Sequence, residues 1–258
     1  MEKTKAFLKK HAVIIYTGLG IGFVFLVWWL TSLIVKATLL PTFPGPEDAI
    51  PLFFELFALS STWLAVGGTL LRLLISFVLA FLVGSLIGIV AGKSKAFRSF
   101  MRPLIITLRT LPTAAVILIL IVLLKPAYAP IIIVFLVIFP ISYESMVTGL
   151  RNVNKEIKEA AKIDGASRLQ AIVRIDVPLS TPYILLGVVS SLGLGMKISI
   201  MSEIIAGSNR ISGLGRLIHL AYIEADMTRI VAISIFAIIL IGLIDLAMYF
   251  AKQKLKTR

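Results

Sequence analysis

The sequence predicts an all-α integral membrane bundle: six transmembrane helices in one domain spanning residues 1–258, with both termini cytoplasmic. Three observations carry this. Apolar residues make up 59% of the 258 residues and the mean hydropathy is +1.01, so the chain's main solvent must be lipid. The apolar residues gather into runs long enough to cross about 30 Å of hydrocarbon. The net charge of +13 is concentrated beside the ends of those runs. No basic face interleaved with aromatic residues appears, so the charge points to membrane topology and anionic lipid, and nucleic acid is not an expected partner.

Taken in order, the spans fall at about Val13–Val35, Leu70–Ala91, Leu104–Leu124, Ala127–Thr148, Pro182–Ala206 and Thr228–Phe250. The first follows a basic prefix, MEKTKAFLKKHA, without an A-x-A-like cleavage site, and reads as a retained anchor. With the N-terminus inside, 18 lysines and arginines fall on the cytoplasmic side, five outside and three within spans. That asymmetry sets the orientation.

After the first span, PTFPGPEDAIP ends the helix, and Leu52–Leu59 with Phe53, Phe54 and Phe57 reads as a short aromatic anchor at the membrane surface. The second span carries Ala80, Gly84, Gly88 and Gly92 at every fourth position, and the fifth carries Gly187, Ser191 and Gly195. Both are ridges against which another helix backbone can close.

The long polar interval Lys155–Pro178 lies between spans four and five. It predicts two short helices: Ile157, Ala160 and Ala161 stripe the first, and Leu169, Ile172 and Val173 the second. Ser167 with Gln170 forms a capping box, so Asp164–Ala166 is a turn. A helix of about nine residues is too short to cross a bilayer, so this is a folded cytoplasmic loop held against something.

Several chemistries are excluded. There is no cysteine, so disulfides and thiolate sites are ruled out, and His11 and His219 have no ligand-spaced partner, which leaves no metal site. Gly92-Lys93-Ser94 imitates the end of a nucleotide-binding loop, yet Ile87 stands where its first glycine is needed. Nucleotide binding by this chain is rejected, and no cofactor is expected on it.

Charges within or near spans are costly and become transport candidates: Arg72, Arg109, Glu144, Lys197, Glu203 and Asp245. Arg72, Glu144 and Asp245 read as side chains reaching to the interface, whereas Arg109, Lys197 and Glu203 read as buried or cavity-lining. Pro112 interrupts the third span and frees a carbonyl, as transporters do where polar backbone meets a path. Arg109, Pro112, Thr113, Lys197 and Glu203 are the path candidates.

The row Glu159-Ala160-Ala161, Gly165, Ile175 and Pro178 resembles the EAA signature (E-A-A-x3-G-x9-I-x-L-P) of permease subunits in binding-protein-dependent ABC importers, with Val177 in place of leucine. Pro103, Arg109, Pro112 and Ala115 resemble a pattern of the nitrate, sulfonate, taurine and bicarbonate branch. Glu203 and Gly213-Leu214-Gly215 are similar to a second segment of that branch, as are Thr69, Arg72, Gly84 and Gly88. Where the branch ends its third span on a glycine and aromatics, this chain has LLKPAYAP.

The resemblance implies the type I importer permease fold in a prokaryotic inner or cell membrane. It implies a translocation path for a small solute, an anion such as a sulfonate, nitrate or taurine, formed with a second permease copy, a homodimer being expected. An extracytoplasmic substrate-binding protein would deliver the solute. Glu159, Ala160, Ala161, Gly165, Ile175 and Pro178 would dock on a dimeric cytoplasmic ATPase that holds the ATP and magnesium, so the chain itself is not an enzyme. The glycine pair would let the chain turn at the external surface. Two alternatives stand: an ion-coupled secondary transporter using Glu203 or Asp245, and an importer permease for a pyrimidine-type vitamin precursor.

Overall fold

The computed structural model describes residues 2–38, 43–124, 126–207 and 212–256, and every regular element among them is helical. Five helices are long and apolar enough to cross a membrane unbroken: α1 (Glu2–Thr38), α3 (Ser60–Lys93), α6 (Ala129–Asn152), α10 (Thr181–Ala206) and α12 (Met227–Lys256). Half of α6's most apolar window is buried within the protein but only 6% of α1's, so α6 is the axis and α1 rides at the edge.

The third predicted span is not one helix. Leu104–Leu124 is divided between α4 (Lys95–Thr110) and α5 (Thr113–Leu123), which meet at 95°. Proline disfavours helical geometry in the residue before it, and Leu111 accordingly takes φ −58° and ψ 130°. α4 is strongly two-faced: Met101 and Ile105 are buried while Lys95, Arg102 and Arg109 are exposed and Arg98 is half-buried.

The predicted small-residue ridges are where the bundle closes. Gly84, Gly88 and Gly92 lie against α6: a Cβ on Gly84 would stand 2.9 Å from the Phe139 carbonyl, and one on Gly88 2.8 Å from Met146. Neither gap admits a side chain. Gly187 lies on Ser145 of α6, and Gly195 meets Ile138 of α6 and Leu73 of α3. Three backbones thus approach closely enough for dispersion to hold them in lipid, where the hydrophobic effect cannot.

On the outer side, as the charge distribution orients the chain, α2 (Pro46–Ala58) begins six residues before the expected aromatic segment. Pro46 suits a first helical position because its missing N–H would be unpaired there anyway. Phe53 and Phe57 do not serve the membrane surface alone: Phe53 meets Phe236 of α12 at 4.5 Å and Phe57 meets Trp63 of α3 at 5.1 Å. Lys36 of α1 pairs with Glu47 at 3.1 Å and Asp48 at 2.7 Å, tying α1 to α2. The Lys36 ammonium, and then the Gly45 N–H, hold the Asp48 carboxyl below the ordinary carboxylate value.

Candidate functional site

At the outer end, residues from three distant parts of the chain form one buried polar cluster. Thr69 and Arg72 are a turn apart on α3, Glu203 is near the end of α10, and Ser212 to Gly215 lead into α11 (Leu214–Ile223). Arg72 is 6% exposed and Glu203 5%. Their ion pair is 2.7 Å, with the Arg72 Nε donating to Glu203 at 2.9 Å. The second carboxylate oxygen accepts from the Thr69 hydroxyl at 2.8 Å and the Gly215 N–H at 3.0 Å. Leu214 N–H donates back to Thr69 at 2.9 Å, and Arg72 Nη2 donates to the Ser212 carbonyl at 2.7 Å. Both oxygens of Glu203 are satisfied, which is the condition for keeping a buried ion pair.

This corrects two expectations. Arg72 does not reach for the interface, because a buried carboxylate pairs with it inside the bundle. Gly213 is extended, at φ −173° and ψ 152°, which any residue adopts, so a turn does not require glycine there. Space does: a Cβ on Gly213 would run into the Arg72 guanidinium and the Glu203 carboxylate, and one on Gly215 into the backbone of α10.

At the opposite end, the polar interval folds as α7 (Lys155–Ile163), a turn, α8 (Arg168–Ala171), a π-helical turn over Ile172–Asp176, and α9 (Val177–Leu179). Gly165 makes the turn at φ +77°, a left-handed conformation that costs a residue with a Cβ. The expected capping box is present: Gln170 N–H donates to the Ser167 hydroxyl at 3.3 Å, and the Gln170 side chain accepts from Ser167 N–H at 2.9 Å. The π turn ends two residues before Pro178, whose ring and missing N–H exclude an ordinary helical bond to the Arg174 carbonyl.

The apolar stripes of this segment do not face the protein's own core. Ile163 is 85% exposed and Leu169 70%, and Ile157 and Val173 are exposed too; of the EAA-like residues only Ala161 is buried. Pro178 is exposed, Ile175 half-buried, and Glu159 and Ala160 lie at the surface.

What holds the segment down is Asp176, only 1% exposed, which sequence reasoning missed. It pairs with Lys93 at the end of α3 and lies 3.8 Å from Lys158 of α7, whose ammonium also donates to the Leu150 carbonyl of α6 at 2.7 Å. The buried carboxylate therefore ties the loop to α3, and the Lys158 beside it ties the loop to α6. A lone acid between Ile175 and Val177 just before a proline was the available signal.

The remaining path candidates sit elsewhere. Arg109 pairs with Glu144 of α6 at 2.5 Å on an open face, beside a cavity of about 290 Å³. It is not buried, and Glu144 is held sideways by it instead of running to the interface. Pro112 is the exposed hinge between α4 and α5, with Thr113 half-buried at the start of α5. Lys197 is exposed at the rim of an apolar groove between α10 and α12 and makes no ion pair among the described residues. Asp245 lies over Gly193 of α10. Arg109, Lys197 and Glu203 are thus not brought together. Among the described residues no group of histidine, aspartate and glutamate could hold a metal ion.

Comparison with known proteins bears on most of the chain. The model of the family described as binding-protein-dependent transport system inner membrane component matches residues 84–258. An ABC transporter permease protein of Brucella melitensis is 30% identical over 233 residues, 88% of this chain and 92% of that protein. The taurine transport system permease protein of Escherichia coli is 26% identical over 222 residues, 83% of this chain and 78% of that one. The fold matches a solved bacterial alginate ABC transporter in complex with an alginate pentasaccharide-bound periplasmic protein, at TM-score 0.65, 18% identity and 97% coverage of each chain.

Proposed function

The chain belongs to the binding-protein-dependent transport system inner membrane components, as the permease subunit of an ABC importer, and from that premise we propose that it carries a small sulfonate-type anion inward. In this reading two copies form the path, an external binding protein delivers the solute, and a separate cytoplasmic ATPase docks on the loop of α7 and α8. The observation that carries the docking is the set of exposed apolar side chains Ile157, Ile163, Leu169 and Val173 on an otherwise charged segment at the loop end of the molecule. Such a patch is unfavourable in water and is the usual mark of a protein contact. The small exposed residue Ala160 permits close approach, Ala161 packs inward beneath it, and Gly165 sets the turn between the two helices. The taurine permease among its relatives and the basic residues along α4 support an anion as cargo.

The test is co-purification. The tagged chain is solubilised mildly from its native membrane beside Gly165→Arg. Wild type is expected to bring down an ATP-binding subunit, and the variant, inserted in the membrane in normal amount, to lose it. Recovery of no ATPase by either form, with transport retained by the chain reconstituted alone, would end the reading. For the cargo, Arg109→Gln in the reconstituted importer is expected to lower sulfonate uptake; unchanged uptake removes Arg109 from the path.

A further inference from the structure

The α4 helix presents Lys95, Arg98 and Arg102 at spacings of three and four residues, which places them on one face. Across from them on α6 stand Tyr143 and, near the loop end, Arg151, and between the two helices lies an open cleft of about 660 Å³ at which Lys95, Arg102 and Arg151 are exposed to solvent. Four cations therefore border one cleft, and none of the four forms an ion pair among the described residues. The one acid on its wall, Glu144, is occupied by Arg109. Arg98 makes only a long contact, 3.5 Å, to the Ala91 carbonyl.

A second observation is independent of charge. Tyr143 also lines the cleft, is 4% exposed, and its hydroxyl has no hydrogen-bond partner among the described residues. Burying a hydroxyl without a partner is costly, and such a group in a folded protein calls for a ligand or ordered water.

From these two observations we infer that the cleft between α4 and α6 is a binding site for an oxyanion, a sulfonate, sulfate or phosphate group. Arg98 and Arg102 present planar donor forks that match such a group, Lys95 and Arg151 add charge, and the Tyr143 hydroxyl supplies a directional donor. The volume falls in the range of small-molecule sites and leaves room for an organic substituent on the anion. Four cations sharing one cleft repel one another, and a bound anion removes that repulsion. The same chemistry is offered by free solute and by the headgroup of an anionic lipid. The inference rests on the anion reading of the cargo and extends it to a second position, apart from Arg109.

The experiment uses the full chain in nanodiscs of phosphatidylcholine, with inorganic sulfate as the probe and calorimetry as the readout. Saturable sulfate binding is expected for wild type. Arg98→Gln with Arg102→Gln should weaken it at least about tenfold, Tyr143→Phe about threefold, and Arg98→Lys with Arg102→Lys should restore part of it. Melting temperatures of the variants matching wild type exclude a folding defect. In a parallel arm with phosphatidylglycerol, lipid retained by wild type, lost by the glutamine pair and not displaced by sulfate assigns the site to headgroups. Sulfate binding that is absent in both arms, or equal in wild type and the glutamine pair, overturns the site. The two readings fail separately: import of a neutral solute by the assembled transporter would end the anion cargo while sulfate binding survived, and loss of the site would leave sulfonate import standing.

Discussion

Glu203 accepts hydrogen bonds from α3 and from the start of α11 while carrying its charge out of water. The net worth of such an ion pair is small, because desolvation offsets most of the attraction, but the cost of orphaning one partner is large. Arg72→Leu is expected to destabilise the protein by about 3–5 kcal/mol, since Glu203 would be left charged and unpaired. The double change Arg72→Leu with Glu203→Met should recover much of that loss. Denaturant unfolding of the three forms in detergent checks this; equal stability of Arg72→Leu and wild type would show that the pair is not buried in solution. Every member of this cluster except Ser212 is singled out in the sequence, Arg72 and Glu203 as intramembrane charges, and Thr69 and the Gly213-Leu214-Gly215 run by resemblance to segments of the importer branch. Their partnership was not legible, because 131 residues separate Arg72 from Glu203 and no local pattern reports a contact at that range.

Among the elements, the polar loop between α6 and α10 was read most fully in advance. Capping chemistry and a left-handed glycine act within a few residues, so the first helix, the turn and the start of the second follow from spacing; the second does not run on through its stripe, since α8 ends at Ala171 and Ile172–Asp176 winds as a π turn. Its attachment did not. Asp176 is buried only because the π turn before Pro178 brings it beneath the loop against Lys93 and Lys158. If this clamp couples the loop to α3, Asp176→Asn should leave the folded permease in the membrane yet lower transport-linked ATP hydrolysis of the assembled importer by about tenfold, the scale of a lost charged hydrogen bond. The measurement is substrate-stimulated against basal hydrolysis in proteoliposomes. A variant with unchanged stimulation would make Asp176 an anchor without a coupling role. The bend between α4 and α5 is the converse case: proline foretold an interruption, but whether a helix tilts slightly or turns through 95° depends on what each half packs against.

For the molecule as a whole, α3, α6 and α10 form a unit held by close backbone approach. Because Gly88 faces Met146 with no room for a Cβ, Gly88→Leu should separate α3 from α6 and lower the yield of folded protein severely, by overpacking worth about 1–3 kcal/mol or more. Val90→Leu, exposed on the same helix, should be neutral. Fluorescence-detected size exclusion of tagged variants separates the two; similar profiles would show that the ridge is not the packing seam. The sequence by itself determined the solvent of this protein, its expected orientation, its approximate spans, its packing ridges and its local turn chemistry, because those depend on composition and on neighbours within a helical turn or two. Only the tertiary structure decided which helix fills each ridge, that Arg72 meets Glu203, that Asp176 clamps the loop, and that four cations border one cleft with a tyrosine hydroxyl that has no partner among the described residues. Those are contacts between residues far apart in the chain, and they exist only once the helices have chosen their partners.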